Sequence, residues 1–102
     1  MKNILLACAA GMSTSMLVKR MQDVAGNKGI EVQIKAIPES EVSKYIDNAD
    51  IILLGPQVRF MQSKIKSLVG NIPVEVIDMA SYGTMNGEKV LMFALEKIGG
   101  LE

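Results

Sequence analysis

Cys8 is the single cysteine of the chain, and it is followed by Ala9, Ala10, Gly11, Met12, Ser13, Thr14 and Ser15, a run of small and hydroxylated residues broken by one methionine. A thiol in that setting could act as a nucleophile toward an anionic group. Where an apolar strand gives way to a helix, backbone N–H groups of the loop and first helical turn lack intrahelical acceptors and converge on whatever lies before them. Ala9, Ala10 and Gly11 put little side chain in the way of an oxyanion, and Gly11 can take a positive φ. Ser13, Thr14 and Ser15 bring hydroxyls that cap the helix or donate to a phosphate. The same field favours the thiolate over the thiol. Residues 8–15 thus predict a nucleophile in a phosphate-sized cradle. The plain alternative is that Cys8 is a small buried hydrophobe at the end of a core strand and that Ser-Thr-Ser only caps a helix; spacing alone leaves both readings open.

The rest of the composition narrows the chemistry. There is no histidine, which removes the commonest general base, the commonest metal ligand and any phosphohistidine of this chain's own. A lone cysteine forms no Cys-x-x-Cys redox pair and no internal disulfide, and the acidic residues show no metal-ligand spacing, so neither metal nor cofactor is expected. Gly11 has no second glycine followed by Lys-Ser or Lys-Thr, so no nucleotide loop is readable. Lys2, then Ile4 to Leu6 and Ala7-Cys8, imitate a lipid-attachment box, but a secretory h-region needs roughly 7–15 apolar residues and only Ile4 to Ala7 stand before Cys8. Cys8 is therefore expected to stay in the mature chain. Eleven basic and eleven acidic residues balance to zero formal charge, with no block of either sign, so neither nucleic acid nor an anionic membrane is an expected partner. No apolar run approaches the length of a membrane span, and a cytoplasmic protein is expected.

Cradle and thiol need a scaffold, and the hydropathy pattern supplies one. With 102 residues, 49% of them hydrophobic, the chain predicts a single domain, residues 1–102, around one core. The segments 3–7, 31–37, 50–55 and 74–78 read as strands. Leu17, Val18, Met21, Val24 and Ala25 share one helical face, as do Val58, Met61, Ile65, Leu68 and Val69, and again Leu91, Ala94, Leu95 and Ile98. A fourth helix is expected over Glu39 to Asp47 behind Pro38. Gly29, Gly70 and Gly99 fall where helices should end. Alternating strands and helices imply right-handed crossovers, hence an α/β fold with an open four-stranded parallel sheet flanked by helices on both faces. Ligands of such sheets bind beyond the carboxyl ends of the strands where strand order reverses, and the loop after the first strand commonly lies there. Cys8 occupies that loop.

The run CAAGMSTSMLV, with LLGPQVRFM (53–61), VEVIDMASYG (74–83) and the spacing between them, resembles the enzyme IIB component of bacterial phosphoenolpyruvate-dependent sugar phosphotransferase systems, of the lactose/cellobiose/chitobiose class. The resemblance covers essentially the whole chain. It implies a flavodoxin-like fold related in architecture to low-molecular-weight tyrosine phosphatases, and the activity of a phosphotransferase. Cys8 would accept a phosphoryl group from a phosphohistidine on a IIA protein and pass it to a sugar, such as cellobiose or chitobiose, held by the membrane component IIC. Residues 9–15 would be the phosphate loop, and Gln57, after Gly55-Pro56, and Tyr82, after strand four, would lie at the same end of the sheet. The chain itself would not enter the membrane, and a monomer is expected. Gln57 and Tyr82 also have plain readings, as a residue at a helix start and as a loop aromatic.

Two rivals stand beside the carrier. Low-molecular-weight phosphatases carry a Cys-x5-Arg motif after strand one, and the position of that arginine is Thr14 here. Without the bidentate guanidinium, hydrolysis should be slow and a phosphocysteine should persist. Asp78, at the end of strand four, stands where such a phosphatase has its general acid, although a strand-end aspartate also caps turns. The other rival is a binding module whose loop holds an anion beside an inert Cys8.

Overall fold

Ile4 to Ala7 is apolar at every position because both faces of its strand are covered. In the computed structural model, which describes residues 2–8 and 14–99, β1 (Lys2–Cys8) lies inside a parallel sheet of order β2-β1-β3-β4, with β2 Val32–Pro38, β3 Ile51–Leu54 and β4 Val74–Val76. Successive side chains of a strand point to opposite faces. Ile4 and Leu6 accordingly join Ile34, Ile51 and Leu53 under the helices α1 (Thr14–Lys28) and α4 (Gly87–Ile98), whereas Leu5, Ala7, Ile52 and Leu54 face α2 (Gln62–Val69). The expected helix faces are the buried ones in α1 and α4, where Leu17, Met21 and Ala25 pack against Leu91, Ala94 and Leu95. Gly29, Gly70 and Gly99 end their helices with positive φ, as their positions predict.

Four expectations are corrected. The segment Glu39 to Asp47 is not an α-helix but two 3-10 helices, Glu39–Lys44 and Ile46–Asn48. Val42 is its one buried side chain, too little to hold a regular helix whose nucleus is costly, so the chain closes tighter turns such as Tyr45 N–H to Val42 C=O at 3.0 Å. The helix expected from Val58 begins instead as a 3-10 helix, Pro56–Met61, kinked at Val58, before α2. The buried stripe is limited to Val58, Ile65 and Val69, and Leu68, expected on it, is 52% exposed: in α2 it lies about 60° around the helix from Ile65 and about 100° from Val69, toward solvent. The fourth strand ends at Val76 rather than Asp78, because Asp78 starts a short helix, α3 (Met79–Gly83). Tyr82, after strand four, lies within that helix.

Gly87, the first residue of α4, sits against the backbone of α1. A Cβ there would come within 2.6 Å of the Arg20 carbonyl carbon and 2.8 Å of the Met21 nitrogen, closer than any side chain tolerates, so only glycine lets the two helices approach at this point. Among the described residues no helix is long and apolar enough to cross a membrane.

Candidate functional site

Because β1 and β3 are parallel neighbours in register, with Ala7 opposite Leu54, their carboxyl ends meet. The Gly55 N–H donates to the Ala7 carbonyl at 3.0 Å, which extends the pairing one residue beyond β3 and brings Gly55 beside Cys8. By strand alternation residue 55 looks toward the side of Ile51 and Leu53, the side of Leu6 and Cys8. Glycine leaves that position open. A Cβ on Gly55 would stand 2.9 Å from Gln57 Oε1, 3.2 Å from Cys8 Cβ and 3.6 Å from Tyr82 Cε1. Three residues singled out from sequence, at positions 8, 57 and 82, thus surround one missing methyl group.

Each is placed by a local cause. Cys8 is the last residue of β1 and is 3% exposed, nearly closed to solvent. Gln57 follows Pro56, whose fixed φ starts the 3-10 helix, and is exposed. Tyr82 is partly buried against the α1/α4 core. Beside them runs a cleft of about 250 Å³ lined by Pro56, Gln57, Arg59, Met79, Tyr82 and Gly83. Arg59 Nη1 donates to the Pro56 carbonyl at 3.0 Å, so a guanidinium stands in this cleft although the Cys-x5-Arg position is Thr14. Ala9, Ala10, Gly11, Met12 and Ser13, expected to form the phosphate loop, lie outside the described residues, while Thr14 begins α1 and Ser15 follows in its first turn.

Sequence reasoning passes over Gly55 and Arg59 as site residues. Gly55 could have been found by pairing the ends of the first and third strands, since a glycine opposite a strand-end nucleophile marks a close approach. Nothing in the sequence pattern points to Arg59.

Asp78 has a different task from the one the phosphatase comparison offers. It is the N-cap of α3, its Oδ2 accepting the Ser81 N–H at 2.9 Å, and it lines a separate groove with Ser81, Asn86 and Lys89. The hydrogen bond from the Ser81 backbone, helped by the Ser81 hydroxyl, holds its carboxyl below the ordinary 3.8. A carboxyl kept ionised in this way is a poor proton donor at neutral pH. Asp78→Ala should cost about 1 kcal/mol of stability at pH 7. Since the folded state lowers the pKa, that advantage of the wild type is complete above the unfolded value of roughly 3.9. It is lost as the pH falls through the folded value, below 3.8. Denaturant midpoints of both proteins from pH 7 to pH 2 check this, and a gap that persists undiminished at pH 2 would contradict the cap assignment.

A sequence model of the family described as "PTS system, Lactose/Cellobiose specific IIB subunit" matches residues 3–93. The chain belongs to this IIB family. The oligo-beta-mannoside-specific EIIB component of Bacillus subtilis (strain 168) is 43% identical over 97 residues, covering 93% of this chain and 94% of that protein. The solution structure of the cellobiose-specific phosphotransferase IIB component from Borrelia burgdorferi superposes with a TM-score of 0.81 at 46% identity, covering 96% of this chain and 92% of that one. A YwlE mutant from Bacillus subtilis shares the fold alone, with a TM-score of 0.52 and 14% identity over 98% of this chain and 95% of that one. The open four-stranded parallel sheet with helices on both faces, shared with these structures, is the architecture expected from sequence. As a IIB component the chain is a phosphotransferase of the sugar phosphotransferase system and works with IIA and IIC partners.

Proposed function

We propose that this IIB chain carries the phosphoryl group on Cys8. The sulfur attacks the phosphorus of a phosphohistidine on IIA. The S–P bond forms as the P–N bond breaks, and the electron pair returns to the histidine nitrogen, which takes up a proton. In the second step a sugar hydroxyl held by IIC attacks the phosphorus, the S–P bond breaks, the thiolate is regenerated and the hydroxyl proton passes to a base of the IIC site or to water. Both steps need in-line positioning and charge stabilisation more than proton transfer within this chain, which suits a site without histidine. The observation that carries the reading is the convergence of Cys8, Gln57 and Tyr82 on Gly55 at the carboxyl end of the sheet.

The phosphate-binding segment is assigned to residues 9–15, which run into the first turn of α1, and its backbone N–H groups and the hydroxyls of Ser13, Thr14 and Ser15 are the donors offered to the phosphoryl oxygens. Gln57 and Tyr82 stand beside Cys8 around Gly55. Phe60 and Met79 are 76% and 73% exposed and come after β3 and β4 at the same end of the sheet. They offer an apolar rim on which IIA and IIC dock in turn. Relatives named for oligo-beta-mannoside and cellobiose favour a β-linked disaccharide or short oligosaccharide as the final acceptor. The chain acts in the cytoplasm as a monomer.

Incubation with phosphorylated IIA tests the proposal. The intact protein should gain one phosphoryl group, the Cys8 peptide should bear it, and release should wait for IIC and sugar. Steady multiple-turnover hydrolysis of aryl phosphates, lost in Cys8→Ser, would replace the carrier by a phosphatase. An unlabelled protein with an unreactive thiol would leave only a binding module.

A further inference from the structure

Arg20 projects from α1 across to the turn that joins α3 to α4. Its Nη1 donates to the Thr84 carbonyl at 3.4 Å and to the Met85 carbonyl at 3.3 Å. Met85 is the one non-glycine residue with positive φ among the described residues, at 51°, a conformation disfavoured for any residue with a Cβ and therefore in need of support. The turn is bound in the other direction to α3, where the Met85 N–H donates to the Tyr82 carbonyl at 3.1 Å and Thr84 Oγ1 to the Ala80 carbonyl at 2.8 Å. Tyr82 in turn lies over Gly55 beside Cys8. A short chain of bonds therefore links α1 to the aromatic that shares the space at Gly55 with Cys8.

We propose that Arg20 is a positioning residue for phosphoryl transfer: by holding the Thr84–Met85 turn on α1, it sets where Tyr82 stands relative to Cys8. The proposal rests on Cys8 being the phosphoryl acceptor. Helix packing does not depend on the guanidinium. Leu17, Met21, Leu91 and Leu95 are buried together between α1 and α4, and Gly87 seats α4 on the α1 backbone at the same level. Two long, exposed hydrogen bonds add little to such a core. What they restrain is the left-handed turn.

The experiment measures single-turnover transfer from phospho-IIA to Cys8 across a range of IIA concentrations, for wild type, Arg20→Met, Arg20→Lys, Tyr82→Ala and the Arg20→Met/Tyr82→Ala pair, with thermal unfolding of each. Arg20→Met keeps the aliphatic stem and removes the donors. It should lower the saturating rate about tenfold, the order expected from a small misplacement, with the half-saturating IIA concentration and the unfolding temperature nearly unchanged. Arg20→Lys should recover most of the rate, because an ammonium can bond the same carbonyls. The pair should be no slower than Tyr82→Ala alone, since two residues acting through one effect do not add. If Arg20→Met does not fold, Arg20→Leu, which likewise has no donor, replaces it in the same cycle. A wild-type rate in the Arg20 variant, an unaffected Tyr82→Ala, or losses that simply multiply in the pair would overturn the proposal while leaving the phosphocysteine intact. A wild-type protein unlabelled at Cys8 would overturn both.

Discussion

Cys8→Ser should lower the rate of phosphoryl acceptance from phospho-IIA by at least about a thousandfold, with the fold retained. A serine hydroxyl is un-ionised near neutral pH and is a far weaker nucleophile than a thiolate. It is also a poorer leaving group, so any phosphoserine formed would be stranded before the sugar step. The structural cost is small by comparison. Cys8 is buried at the end of β1, and a hydroxyl there costs roughly 1–3 kcal/mol if it finds no partner, against strand pairing on both sides to β2 and β3. Mass analysis of the intact protein and of the peptide containing residue 8, together with thermal unfolding, reads both effects. Undiminished labelling of the serine variant would remove Cys8 from the reaction.

Substitution at Gly55 is expected to have the second-largest effect. In Gly55→Ala the new methyl meets Gln57 Oε1 at 2.9 Å and Cys8 Cβ at 3.2 Å. The carboxamide is the end of a flexible side chain and swings away, but Cys8 is anchored by its ladder and shifts by only a few tenths of an ångström. Transfer should fall about tenfold, chiefly through the lost placement of Gln57. Gly55→Val adds two methyls that the carboxamide alone cannot clear. Crowding should then reach the Tyr82 ring, 3.6 Å from the Cβ position, with a loss of about a hundredfold and about 1–3 kcal/mol of stability from overpacking. Rates that stay at the wild-type level in both variants would show that Gln57 and Tyr82 do not contribute to the reaction at Cys8. A purely structural effect would instead lower the unfolding temperature and leave the rate of the folded fraction untouched.

Much of the scaffold is legible because it is written in local patterns. The unbroken apolar run at Ile4–Ala7 signals a strand covered on two faces, and Leu17, Met21 and Ala25 repeat at helical spacing on the face that is buried. Where the structure departs from expectation, the local signal is weak or mixed. Residues 39–48 offer Val42 as their only buried anchor, and in α2 only Ile65 and Val69 face the core, so Leu68, at the edge of the same apolar stripe, stays on the surface. Asp78 reads as a strand end because Val74 to Ile77 is apolar at most positions, yet a carboxylate three residues before an available N–H caps a helix instead.

By itself the sequence determined that a single cysteine closes the first strand before a run of small and hydroxylated residues, that no histidine is available, and, through CAAGMSTS and GPQ in their order, which family the chain resembles. Those are properties of neighbours along the chain, and side-chain type and spacing encode them directly. Only the tertiary structure decided that Gly55, Gln57 and Tyr82 meet Cys8, that Arg59 stands in the adjoining cleft, and that Arg20 reaches the turn after Tyr82. The physical reason is the crossover connection: placing β3 beside β1 brings Gly55 to Cys8, a contact between residues far apart in the chain, and no local periodicity records which strands will be neighbours.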